Sequence, residues 1–143
     1  MRRGGGPRVP RYRYRRYLCS AGEWRFFEVL REAVGEEFDI LMQVRVAAVL
    51  EARRGREDDF RRVSQKAFDF VLVTKGTSHV RAAVELDDRT HELPARRRRD
   101  RFLEGACKRA GLPLVRFQTA RIYVVQEVAA QVEASIAGRD AWS

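Results

Sequence analysis

At 143 residues the chain has the length of one domain able to bury its own core, and 45% hydrophobic with 34% charged residues exclude a disordered or fibrous polymer. No apolar run approaches the roughly 20 residues of a membrane-spanning helix and the start has no apolar signal stretch, so a cytoplasmic protein with no membrane partner is expected. The net charge of +9 points to an acidic partner such as nucleic acid, and its placement is uneven.

Residues 1–20 hold seven arginines (Arg2, Arg3, Arg8, Arg11, Arg13, Arg15, Arg16) and no acid, which leaves the rest of the chain nearly balanced. Tyr12, Tyr14 and Tyr17 interleave with these arginines. That composition suits neutralising phosphates while stacking on exposed bases; a solubilising tail is the equal alternative. Gly4-Gly5-Gly6-Pro7 and Pro10 keep the segment extended or disordered. The expected organisation is a basic arm over 1–19, one folded domain over 20–137 and a short tail over 138–143. Cys19, Cys107, His79 and His91 show no metal-ligand spacing, which speaks against structural zinc and for a reducing compartment.

Ser20-Ala21-Gly22-Glu23 fits a capping box, and Trp24, Phe26, Phe27, Leu30, Ala33 and Val34 recur at helical spacing before Gly35. A helix over about 21–34 follows. Phe38 to Val46 is rich in β-branched and large apolar residues and reads as a strand leading to a short helical piece near Ala47 to Ala52. Arg53 to Arg62 is dominated by charge and reads as a solvated loop or a helical turn. Ala67 to Thr74 and His79 to Leu86 read as strands of a hairpin. A helix from about Arg96 to Ala110 carries Phe102, Leu103, Ala106, Cys107 and Ala110 on one stripe, with Gly111 past its end. Leu114 to Phe117 suits an interior strand. Thr119 is expected to cap a last helix bearing Ile122, Val125, Val128, Ala129, Val132 and Ile136. The order is α, β, β, β, α, β, α, an α/β fold.

The chemistry concentrates in Ala82-Ala83-Val84-Glu85-Leu86-Asp87-Asp88-Arg89-Thr90-His91, where a buried strand runs into acids and a histidine. Alternation puts Glu85 and Asp87 on one strand face, about 7 Å apart between Cα atoms at a rise of roughly 3.3 Å per residue. Asp69 interrupts the apolar facing strand. A three-residue loop, Gly76-Thr77-Ser78, sets Asp69 opposite Glu85, whereas a four-residue loop sets it opposite Val84 on the wrong face. Like charges facing each other across strands are destabilising without a cation. Oxygen ligands with room for water suit Mg²⁺ or Mn²⁺. Each acid also has a plainer reading: Asp69 paired with Lys66 or an arginine, Glu85 with Arg81, and Asp87-Asp88 as the solvated end of a strand. His91 is a candidate general acid or base.

These residues carry a resemblance. The order of elements, with Asp69 on one strand and Glu85-Leu86-Asp87 on its partner, resembles the PD-(D/E)XK or restriction-endonuclease-like nuclease superfamily. More narrowly, the chain resembles the bacterial family called domain of unknown function 2726. The matching stretches are Ser20-Ala21-Gly22-Glu23 with Phe26-Phe27 and Leu30, Gln43-Val44-Arg45, Ser64 to Leu72, Glu85-Leu86-Asp87-Asp88 with His91, Asp100-Arg101-Phe102 and Gly111 to Phe117. In its acidic strand end and following histidine it also resembles very-short-patch-repair endonucleases.

The resemblance implies a restriction-endonuclease-like core of order α-β-β-β-α-β, with a small mixed sheet flanked by helices and an extra C-terminal helix. It further implies Mg²⁺-dependent or Mn²⁺-dependent hydrolysis of DNA, with Asp69, Glu85 and Asp87 as metal ligands and His91 or Lys66 assisting proton transfer. Asp87 stands where the superfamily usually has lysine, so a nuclease-like DNA-binding module without catalysis is the alternative. A structural or protein-interaction domain with an incidental acidic pocket is a third reading. Glu23 is divided between its capping role, which is favoured, and a place near the metal. Gln43, Arg96, Arg97, Arg101 and Arg116 are candidates for the DNA surface. Cutting both strands of a duplex with one small domain calls for a homodimer or for two separate events.

Overall fold

Local chemistry starts the fold at Ser20. In the computed structural model, which describes residues 5–55, 57–88 and 94–140, Ser20 Oγ accepts the Glu23 N–H at 3.1 Å and Glu23 Oε1 accepts the Ser20 N–H at 3.0 Å. The capping box is complete and satisfies two otherwise unpaired donors. Helix α1 (Ala21–Val34) follows, burying Phe26, Leu30 and Val34. Trp24, at the edge of the predicted stripe, is 47% exposed and donates its indole N–H to Glu28.

The remaining elements are β1 (Phe38–Arg45), α2 (Val46–Val49), α3 (Glu57–Ser64), β2 (Ala67–Thr74), β3 (Val80–Asp87), α4 (Pro94–Ala110), β4 (Leu114–Gln118) and α5 (Val125–Asp140). The short helical piece is therefore earlier and briefer than its sequence suggests, and the charged segment after Arg56 is a true helix. The fold is a four-stranded mixed sheet flanked by helices, in the order β1-β2-β3-β4, with the first three strands antiparallel and β4 parallel to β3. A parallel neighbour needs a long crossover, which α4 supplies.

Two apolar layers hold the sheet. On one face α1 and α5 set Phe26, Leu30, Val128, Val132 and Ile136 against Phe70, Leu72, Val84, Val115 and Phe117. On the other, Leu103 and Cys107 of α4 join Val46 and Leu50 over Val71, Val73 and Ala83. The last helix differs from expectation. Thr119 does not cap it; its N–H and its hydroxyl donate to the Asp87 carbonyl at 3.0 and 3.1 Å, fastening the end of β4 to the end of β3. Ile122 is 84% exposed, and α5 begins only at Val125 and runs to Asp140, past the expected domain limit at 137.

The hairpin reaches the expected register by an unexpected route. Thr74 N–H donates to the His79 carbonyl at 2.9 Å, so Lys75 to Ser78 form a four-residue loop, the length expected to misplace Asp69. A β-bulge corrects it: Val73 pairs with Val80 but Leu72 pairs with Ala82, leaving Arg81 as the extra residue. One inserted residue reverses the phase of a two-residue repeat. Beyond the bulge Phe70 pairs with Val84, and Asp69 falls beside Glu85.

A second irregularity lies on β1. Met42 packs in the α1 and α5 layer while Val44 packs in the α4 layer, although both are even-numbered. Phe70 and Phe68, their partners on β2, divide in the same way. Strict alternation forbids this. Gln43, between Met42 and Val44, has φ of 53°, in the left-handed region where a side chain with a Cβ is strained. The sheet therefore changes faces at Gln43 and Asp69, which is where the polar residues gather.

Candidate active site

A cleft of about 330 Å³ opens at the ends of β2 and β3, lined among others by Ser20, Glu23, Lys66, Asp69, Glu85, Asp87, Asp88, Asp100 and Thr119. Its floor is a carboxyl pair. Glu85 is 6% exposed, the one buried charged residue among those described. Asp69 Oδ2 accepts the Leu86 N–H at 2.8 Å, taking the place of a backbone ladder bond. The two carboxyls are close enough to interact directly. Burial, and then the charge of Asp69, push the Glu85 carboxyl up to about 9. Burial also raises Asp69, against the lowering influence of its hydrogen bonds and of Lys66. Burial and the adjacent Asp69 thus favour the protonated form of Glu85, whose Oε1 is buried without a hydrogen-bond partner.

Three further groups surround the pair. Glu23 uses both of its oxygens: Oε1 completes the capping box, and Oε2 accepts the Gln43 side-chain amide at 3.1 Å at the cleft. The left-handed backbone of Gln43 turns that amide toward α1. Lys66, at the mouth of β2, forms an ion pair with Asp100 of α4 at 2.6 Å, and each side chain is about one-third exposed. Arg116 of β4 lies directly across the parallel ladder from Glu85 and forms an ion pair with Asp87 at 3.1 Å. Its Nη2 is buried without a partner.

Two cations therefore sit among these acids, Lys66 and Arg116. Both lower the Glu85 carboxyl, though not enough to offset burial. The three expected ligands separate into a pair and an outlier, since Asp69 and Glu85 converge whereas Asp87 turns to Arg116. Among the described residues no group of three or more His, Cys, Asp or Glu side chains is gathered as a metal site. Arg116 is a neighbour of the acids rather than part of an exposed surface. Arg97 and Arg101 are exposed on α4, which also contains Arg96. His91 lies outside the described residues.

Asp100 is a cleft residue to which the sequence reading gave no role, although Asp100-Arg101-Phe102 is one of the stretches that carry the resemblance. It stands at i−3 from Leu103, on the helix face turned to the sheet. Contact with Lys66, 34 residues away, required the tertiary fold. No helix among the described residues is long and apolar enough to cross a membrane.

No curated protein and no solved structure matches the chain. The model of one family, described as protein of unknown function (DUF2726), matches residues 15–136, from the end of the arm through the cleft and into the last turns of α5. The chain belongs to that family.

Proposed function

We propose that the cleft is the active site of a metal-dependent phosphodiesterase acting on DNA, built on a restriction-endonuclease-like core. The observation that carries this reading is the Asp69 and Glu85 pair: a half-buried and a buried carboxyl side by side on β2 and β3, with one Glu85 oxygen left without a partner. Burying two acids side by side is costly unless something positive replaces the proton. The donors are hard oxygens, and Mg²⁺ or Mn²⁺ commonly keeps several waters while binding one or two carboxylates, so a pair is a sufficient protein set. The residues fit the ion.

Asp69 and Glu85 would hold it. When bound, such an ion lowers the pKa of a coordinated water and offsets the charge that builds on a scissile phosphate. The other steps belong to side chains. Lys66, steadied by Asp100, presents an ammonium to the same cleft, where it balances phosphate charge and orients a water. Arg116 holds Asp87 away from the carboxyl pair. Glu23 and Gln43 fix the α1 side of the cleft.

Incubating supercoiled plasmid with the protein in Mg²⁺, Mn²⁺ or EDTA tests this, beside Asp69→Asn and Glu85→Gln variants. Nicking or linearisation that needs the metal and is lost in both variants is the expected result. A specific observation favours a second reading: Asp87, which by the resemblance would stand at the usual lysine position, is bound to Arg116. If folded protein leaves plasmid, single-stranded and mismatched DNA intact but binds them in EDTA, the chain is a nucleic-acid-binding module without catalysis.

A further inference from the structure

The cleft is poorly suited to attract a polyanion by itself. Its lining carries Glu23, Asp69, Glu85, Asp87, Asp88 and Asp100 against Lys66. The positive charge lies on its rim. Residues 5–19 have no helix or strand and lead directly into Ser20 and Gly22, which line the cleft. This segment carries Arg8, Arg11, Arg13, Arg15 and Arg16, all exposed. Tyr12 and Tyr14 lie between them and Tyr17 follows Arg16; the three are 81, 93 and 73% exposed. An exposed aromatic ring is not needed for solubility, and arginine alone suffices to neutralise phosphates. Rings interleaved with cations at this spacing suit a chain that offers both phosphates and free aromatic faces.

The loop after β4 forms a second rim. Thr119 lines the cleft, and the residues that follow expose Arg121, Ile122 (84%) and Val124 (50%). This loop is anchored rather than loose: Tyr123 packs edge-on against Phe26 of α1 at 5.1 Å, and its hydroxyl accepts the Ala120 N–H at 2.9 Å. The same α1 that carries the arm at its start therefore fixes the loop that displays Ile122. Cations with accessible aromatic and aliphatic surface thus adjoin the acidic cleft at two places.

We propose that the arm and the loop at 119–124 together form a binding surface for single-stranded polynucleotide, which they lead across the cleft with its bases against Tyr12, Tyr14, Tyr17 and Ile122. In a duplex the base faces are already stacked, so the tyrosines add nothing and only the arginines contribute. In an unpaired strand every base has a free face. The proposal names the substrate form for the phosphodiesterase reading and rests on it only for what happens at the cleft; the binding surface stands on the rim.

The test is fluorescence anisotropy of the full-length protein in EDTA, at several salt concentrations. The ligands are labelled oligothymidylate of about 15 nucleotides, within the span that such grooves cover, a duplex of the same length and an oligouridylate. Oligothymidylate should bind at least about tenfold tighter than duplex at equal salt. The Tyr12→Ala/Tyr14→Ala/Tyr17→Ala variant should lose about tenfold or more of that affinity while its duplex binding stays within about twofold, because each base stacked on an aromatic ring contributes severalfold. Ile122→Ala should weaken single-strand binding with its circular dichroism unchanged. Equal affinity for single strand and duplex overturns the proposal, as does a tyrosine variant that binds single strands normally. Oligouridylate binding as tight as oligothymidylate supports a surface for either sugar, and weaker binding supports one for DNA. Metal-dependent cutting of the single-stranded oligonucleotide that is indifferent to the tyrosines removes this inference and leaves the phosphodiesterase; tyrosine-dependent single-strand binding without cutting does the reverse.

Discussion

Glu85 takes up a proton when the chain folds, because its ordinary value near 4.5 rises to about 9 in the buried pair. Between those values the folded state binds more protons than the unfolded state, so stability contributed by this group is full below about 4.5 and declines as pH rises toward 9. Metal-free protein should accordingly show a urea midpoint that falls from pH 5 to pH 9. Glu85→Gln, which keeps the shape and a donor toward Asp69, should flatten that slope with a change at pH 7 of no more than about 1 kcal/mol. An unaltered slope in the variant would place the titrating group elsewhere. Asp69→Ala differs, because it strips the Leu86 N–H of its acceptor and should cost about 1–3 kcal/mol. The cysteines give an independent check on burial. Cys107 is 1% exposed and its thiol is pushed up to about 11, chiefly by burial, so a thiol reagent at pH 8 should titrate Cys19 in the native protein and Cys107 only on unfolding.

At the level of the element, two irregularities in otherwise regular strands bring the acids together. Arg81 is the extra residue of the bulge, so deleting it joins Val80 to Ala82 while both keep their partners. That deletion should cost only about 1–2 kcal/mol, whereas deleting the buried Ala83 shifts every following residue of β3 to the other face and should abolish cooperative unfolding. Equal damage from both would mean that the bulge is not where the extra residue is accommodated. At Gln43 the backbone is left-handed. Gln43→Gly should hold its midpoint, because glycine adopts that conformation without strain, and Gln43→Val should be less stable than the glycine variant by about 1–2 kcal/mol. The sequence left the Asp69 register open between two loop lengths, one of which sets it opposite Glu85. The means of reaching that register was not legible, because a bulge depends on how two strands twist together rather than on which residues each contains.

For the molecule as a whole, the carboxyl pair links stability to the proposed ion. Anything that binds only the folded state raises stability, by about 2.7 kcal/mol at a hundred times its dissociation constant. Mn²⁺ or Mg²⁺ should therefore raise the thermal midpoint of the wild type and leave Glu85→Gln unmoved; equal shifts would mean binding at another site. The sequence by itself determined what depends on neighbours along the chain: the Ser20 capping box, the buried stripe of α1, the strand character of residues 67–74, and the basic arm. Each follows from spacing within a turn or a strand, where a side chain and its partner are a few residues apart. The tertiary structure decided the pairings across the sheet. Asp87 reaches Arg116 because β4 lies parallel to β3, Lys66 reaches Asp100 because α4 crosses that end of the sheet, and Glu23 meets Gln43 because β1 twists out of phase. Sequence spacing carries no information about such contacts, since they join residues that only packing brings within reach.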